Sequence, residues 1–290
     1  MPTSSDEPLR RVRYRRSQRD WLLIALIGVY VGFGCWFIYG AMTAPVRSGV
    51  AVAYATYATP VVSGDPAQVP DPINVPAEQP AYPADQAPAD GQGAQLTAAA
   101  RVGNADRVDA GWSARVTAAT GIPSRALRGY AGAELAMAAE EPGCRIGWNT
   151  LAALGRIESG HGTHEHSTIA EDGVTTPGIF GVDLTGSGTA RITDTDGGLW
   201  DGRDTIDRAV GPLQFIPSTW ERWGADGNGD GIRDPQQIDD AALAAARYLC
   251  HYGDLSTADT WRRAVFAYNH LESYVNSVAH AANDYAGRAR

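Results

Sequence analysis

Residues 21–42, from Trp21 to Met42, contain no charged side chain. As a helix rising about 1.5 Å per residue, this run spans about 33 Å, enough to cross a hydrocarbon core. Trp21, Trp36 and Tyr39 fall near its ends, where interfacial aromatics sit. Arg10, Arg11, Arg13, Arg15, Arg16 and Arg19 precede it. The positive-inside rule therefore predicts a cytoplasmic basic tail over residues 1–20, a signal-anchor helix over 21–42, and an extracellular or periplasmic remainder. The alternative is a cleaved signal peptide, with Ala41-Met42-Thr43-Ala44 as its cleavage site. The apolar run is long for that role, so an uncleaved single-pass anchor in the cytoplasmic membrane is the expectation.

Residues 43–110 hold nine of the 17 prolines and little aromatic or aliphatic bulk after Tyr57. Such a stretch buries too little apolar surface to offset the cost of ordering, which predicts a disordered tether. As a flexible coil its mean span is about 45 Å. The chain's formal charge is −9, and all 24 of its basic residues are Arg. An acidic balance argues against nucleic acid as a partner, because phosphate binding needs a basic face.

The folded part is confined to residues 111–290, and its periodicity is mainly helical. Thr120-Gly121-Ile122-Pro123 opens a helix that Ala126, Leu127, Tyr130, Glu134 and Leu135 continue and Pro142-Gly143 ends. Trp148, Leu151, Leu154 and Ile157 recur every three residues and mark the next helix, with Gly160 as its stop. Residues 160–210 are dense in Gly, Thr and Asp and read as turns with a short hairpin. Further helices are expected from Pro217-Ser218, with Ser218 as N-cap, from Asp239 to Tyr252, from near Ser256 through Tyr268, and from Leu271 through Ala282. Cys144 and Cys250 form an even pair in an exported domain, which suggests a disulfide; two buried thiols are the alternative.

Several clusters carry chemical potential. Glu158 lies on the apolar side of its helix and at the helix's carbonyl end. Burial and the helix dipole both disfavour its anion, which suits a general acid; a Glu that turns to water is the plainer reading. Gly211-Pro212 imposes a turn, and Gln214 offers a planar amide suited to hydroxyl and acetamido groups. Tyr268 ends an apolar stripe beside Asn269. Asp226, Asn228 and Asp230, with Gly231 sixth and the Ile232 carbonyl seventh, have the spacing that opens an EF-hand loop. Position twelve is the neutral Gln237, so a closing carboxylate would come later, from Asp239 or Asp240. An empty Asp/Gly turn is the competing reading. His161, His164, Glu165 and His166 are read as a polar loop more readily than as a transition-metal site.

Taken together, the pattern resembles the lytic murein transglycosylases of the membrane-bound B type, and more narrowly their membrane-anchored actinobacterial members. The run is Glu-Ser-x-x-Gly, then Gly-Pro-x-Gln-Phe-x-Pro-Ser-x-Trp, then Asp-x-Asn-x-Asp-Gly, then Tyr-Asn-x-x-x-x-Tyr-Val, over about residues 112–286. The resemblance implies a lysozyme-like transglycosylase domain with an EF-hand-like metal loop, cleaving the MurNAc–GlcNAc β-1,4 bond of peptidoglycan glycan strands. It implies Glu158 as the acid and base. Ser159, Gln214, Tyr268, Asn269 and Tyr274 would line the sugar groove. Asp226, Asn228, Asp230, Ile232 and Asp240 would hold a structural Ca2+. No organic cofactor is expected; cell-wall synthesis or division proteins are the conceivable protein partners. Leu213 stands where Met is usual, and the His-rich loop after Glu158 departs further from the family.

One carboxylate suffices for the implied reaction, which leaves a 1,6-anhydromuramoyl end. A muramidase would need a second carboxylate about 5 Å away for retention or about 6.5–9.5 Å for inversion. Asp204 and Asp207 are the nearest candidates in sequence. A non-catalytic peptidoglycan-binding module is the third possibility.

Overall fold

Helix α3 (Trp148–Ser159) carries Glu158 in its last turn. Its stripe is buried as the periodicity requires: Trp148 and Ile157 are each 4% exposed, Leu151 and Leu154 fully covered. Burying such side chains is the main source of helix stability in a folded chain. The computed structural model describes residues 102–187 and 189–290. The expected anchor at 21–42 and the tether up to 101 lie outside the described residues. Among the described residues no helix is long and apolar enough to cross a membrane.

The described chain begins with a 3-10 turn at Asn104–Arg107, then α1 (Ala110–Thr120), α2 (Ser124–Glu140) and α3. A second 3-10 turn at His164–His166 leads into β1 (Thr168–Ile169), β2 (Thr175–Thr176), β3 (Phe180–Asp183) and β4 (Arg208–Val210). Helices α4 (Pro217–Trp223), α5 (Ile238–Cys250), α6 (Ala258–Tyr268) and α7 (Glu272–Arg288) complete it. The strands form two antiparallel ribbons, β1 with β2 and β3 with β4, Phe180 facing Val210 and Asp183 facing Arg208. The mainly helical architecture is as expected, and the turn-rich stretch holds two ribbons where one hairpin was expected.

Helix α3 packs against α2, α5 and α7. Its crossing with α2 is close at one place: a Cβ on Gly155 would fall 2.0 Å from the Tyr130 hydroxyl. Helix α5 approaches α2 through small residues, with Ala241, Ala242, Ala244, Ala245 and Ala246 all fully covered. A buried fork locks the same pair of helices, Arg125 Nη1 and Nη2 donating to the two Asp239 oxygens at 2.7 Å each. Breaking one side of such a pair leaves a buried charge and costs about 3–5 kcal/mol. Cys144 and Cys250 are joined in a disulfide, their Cα atoms 5.2 Å apart. It ties the segment before α3 to the end of α5.

Three local expectations change. The folded body starts before residue 111: the 3-10 turn packs on α2, and Asn104 N donates to Gly227 O at 2.9 Å. Helix α1 was not expected, because it buries only Ser113, Val116 and Thr120 and so carries hardly any apolar stripe. Its start is fixed instead by Asp109, whose side chain accepts from Trp112 N at 2.6 Å. Ser218 is not the N-cap of α4. Ile216 holds that position and Pro217 is the first helical residue, where its missing N–H costs nothing.

Candidate active site

Glu158 occupies the last turn of α3, and Gly160 follows in a left-handed conformation (φ 60°) that a glycine adopts without strain. The stop leaves the carboxyl at the carbonyl end of the helix, facing α7. The Tyr274 hydroxyl, from the first turn of α7, donates to Glu158 Oε1. Glu158 keeps part of its surface exposed, yet its carboxyl is crowded enough that burial pushes the acid up to about 8, with the Tyr274 bond pulling the other way. The phenols of Tyr268 and Tyr274 are pushed up in turn, by burial first and then by the Glu158 charge. At neutral pH the site therefore holds a protonated acid beside two neutral hydroxyls.

The next residue fixes the opposite wall. Ser159 Oγ donates to the Pro212 carbonyl at 2.7 Å and accepts from Gly162 N at 2.8 Å. The Tyr268 hydroxyl donates to the Leu213 carbonyl at 2.7 Å. Two consecutive carbonyls of the Gly211–Gln214 turn are thus held by the residue after Glu158 and by the end of α6. Gln214 adopts φ 50°, strained for a residue with a side chain, and its Nε2 donates back to Gly211 O at 2.9 Å. Its Oε1 lies against Gly181 of β3, where a Cβ would come within 2.7 Å.

Of the residues expected in the groove, Glu158, Ser159, Gln214, Tyr268 and Tyr274 are brought together. Ser159 and Tyr268 face the turn's backbone, and Tyr268 is only 2% exposed. Asn269 is 4% exposed, just past the end of α6. The histidines do not form one cluster. His161 is 8% exposed, with Nδ1 3.3 Å from the Tyr130 hydroxyl and Nε2 2.8 Å from that of Tyr285. Burial lowers it to about 3, so it stays a neutral strut between α2 and α7. His164, Glu165 and His166 sit in the 3-10 turn beyond it.

The two carboxylates weighed as a second catalytic group differ in setting. Asp207 is fully covered, its two oxygens taken by Thr195 N at 3.1 Å and Thr195 Oγ1 at 2.6 Å. Asp204 is exposed on the loop before β4. Burial also raises the Glu134 carboxyl, to about 7, but it lies at the far end of α3, accepting from Trp148 N at 2.8 Å. Ten residues of helix separate it from Glu158, about 15 Å along the axis. That is beyond the spacing of a paired-carboxylate glycosidase. Nothing in the sequence marked Glu134 as the cap of α3, because the contact joins two helices.

In the Asp-rich loop, Asp240 rather than Asp239 points inward. Its oxygens accept from Gly227 N at 2.7 Å, Asn228 N at 3.2 Å and Asp234 N at 2.9 Å, whereas Asp239 is spent on Arg125. Gln237 caps α5, its side chain accepting from Asp239 N and Asp240 N. Asp226 accepts from Gly229 N and Gly231 N, and Asp230 from Ile232 N. Burial pushes Asp240 up to about 7, with the Asp226 charge adding to it. Among the described residues, three acidic ligand atoms converge within 4.8 Å at Asp194, Asp196 and Asp207. There each carboxylate is bonded to groups of its own loop, including Thr195, Gly197 and Trp200.

A carboxyl kept neutral where a helix ends is suited to general-acid chemistry, such as protonating a glycosidic oxygen. Residues 205–280 match the family model described as Transglycosylase SLT domain. The match indicates a peptidoglycan lytic transglycosylase with a lysozyme-like domain, a lyase acting on a polysaccharide. The matched segment carries the Gly211–Gln214 turn, the Asp-rich loop, Tyr268, Asn269 and Tyr274, while α3 with Glu158 precedes it. Among curated proteins and among solved structures nothing matches the chain.

Proposed function

We propose that this chain is a membrane-anchored lytic transglycosylase of the membrane-bound B type, similar to actinobacterial members, that cuts the MurNAc–GlcNAc bond with Glu158 as its one acid and base. The observation that carries this reading is the raised Glu158 carboxyl held by Tyr274. Protonated, Glu158 gives its proton to the glycosidic oxygen as GlcNAc leaves. The substrate's own 2-acetamido group meets the oxocarbenium-like centre. Glu158, now ionised and bonded by Tyr274, takes the proton of the muramoyl C6 hydroxyl as O6 closes the 1,6-anhydro ring. Gln214 offers its amide to the sugar beside the cleaved bond. A muramidase would draw on a second carboxylate, and the Thr195 bonds to Asp207 favour a structural role for that residue instead.

Ca2+ is proposed as a structural ion of the Asp-rich loop. Asp226, Asn228, Asp230, the Ile232 carbonyl and Asp240 would hold it, and the buried Asp240 beside Asp226 is the observation that fits a cation. Such an ion would cancel the repulsion between these carboxylates. The domain is proposed to work outside the cytoplasmic membrane, on a tether behind residues 21–42; the Cys144–Cys250 disulfide agrees with an oxidising compartment. The test is mass spectrometry of muropeptides released from purified sacculi by residues 102–290. Anhydro ends are expected; reducing ends would make the enzyme a muramidase.

A further inference from the structure

The Gly211–Gln214 turn is held on one side by Ser159 and Tyr268. Its other side rests on a segment far away in sequence. Gly211 N donates to the Ile179 carbonyl at 2.9 Å. Gln236 grips that same residue with both ends of its amide: Nε2 donates to Ile179 O at 2.9 Å, and Ile179 N donates to Gln236 Oε1 at 2.9 Å. The Thr175 hydroxyl also donates to Gln236 Oε1, and Thr175 N to the Gln236 carbonyl at 3.0 Å. Directly beside this, the Pro235 carbonyl fills the space of a side chain on Gly211, a Cβ there falling 1.8 Å from it. Gln236 thus stands in for a strand between β2 and Ile179, at the point where the turn begins.

We infer that Gln236 is a positioning residue of the active site, setting the turn against α3 through the relay Gln236–Ile179–Gly211–Pro212–Ser159. Every link is a hydrogen bond of the structure or a step along the backbone. Gln236 touches neither Glu158 nor the groove by any of these bonds; it acts by fixing the Ile179 carbonyl that anchors Gly211. A planar amide that both donates and accepts is needed, because Ile179 presents both an N–H and a C=O. The inference rests on the reading of Glu158 and the turn as the reaction site.

The test is a double-mutant cycle on turnover of soluble glycan strands, with Gln236→Met and Ser159→Ala. Met keeps the length of the side chain and loses the amide. Each single change is expected to lower kcat/KM about tenfold, within the roughly hundredfold cost of an ångström-scale misplacement. If both break one relay, the double variant also loses about tenfold, because two residues of one network couple rather than add. A double variant that loses about a hundredfold, the product of the singles, overturns the relay, since Gln236 would then be a merely structural residue. Should Gln236→Met fail to fold, Gln236→Glu runs the same cycle, keeping the acceptor for Ile179 N and losing the donor to Ile179 O. Glu158→Gln is assayed in parallel. Its full activity would overturn the reading of the site; its inactivity beside multiplicative losses would overturn the relay alone.

Discussion

The Tyr274 hydroxyl donates to Glu158 Oε1 across the gap between α7 and the end of α3. That bond favours the ionised carboxyl, against the larger effect of burial. With the acid near 8, kcat/KM is expected to be flat below that pH and to fall above it as the protonated form is lost. Tyr274→Phe removes the donor, so the falling limb should move to higher pH. A pH–rate profile of the two proteins checks this, and an unmoved limb counts against the contact as a tuner of Glu158.

Glu158→Gln is expected to abolish cleavage, a loss at or beyond the 10²–10⁴-fold range usual for general acid–base groups. Its effect on stability has a sign that depends on pH. The folded acid titrates near 8 and the unfolded one near 4.5. Across that window the unfolded chain gives up its proton while the folded chain keeps it, so the native protein loses stability as pH rises. The Gln variant has no such loss. Melting temperatures should agree near pH 4 and diverge in favour of Gln by pH 8.

Much of this was open to reading in the sequence, because it follows from local rules. The three-residue stripe of Trp148 to Ile157 put Glu158 on the inner face, and Gly160 ended the helix beside it. The Asp226 spacing and the neutral Gln237 pointed to a later carboxylate, and the structure turns Asp240 inward. What stayed hidden depends on contacts between distant segments. Tyr274 was expected in the groove, and only the packing of α7 on α3 reveals its bond to Glu158. His161 read as part of a polar loop because nothing local says that Tyr130 and Tyr285 close over it. Nothing in the sequence marks Gln236, since its partners Thr175 and Ile179 lie far from it along the chain.

The Cys144–Cys250 bond closes a separation of 106 residues. In the chain-entropy model a loop of that size stabilises by about 4–5 kcal/mol. Reduction is therefore expected to lower the melting temperature by several degrees or more. Thiol labelling of the denatured, unreduced residues 102–290 should find none free; two labelled thiols would refute the bond.

Chelation tests the proposed ion. If Ca2+ binds only the folded loop, EGTA should lower the melting temperature and excess Ca2+ restore it, by mass action. Asp240→Asn should abolish the calcium response. A melting curve indifferent to both additions would leave the Asp-rich loop held by its backbone hydrogen bonds alone.

The Tyr130 hydroxyl that crowds Gly155 has one more consequence. Three residues before the acid, α3 meets a neighbour that admits no side chain, and the helix is thereby keyed against turning about its own axis. The bearing of the Glu158 carboxyl is set by counting from that key. One residue inserted between Gly155 and Glu158 would swing the carboxyl about 100° around the axis, away from Tyr274, and would carry Ser159 off the Pro212 carbonyl with it. Glu158 is aimed as much by the glycine three places behind it as by the tyrosine in front.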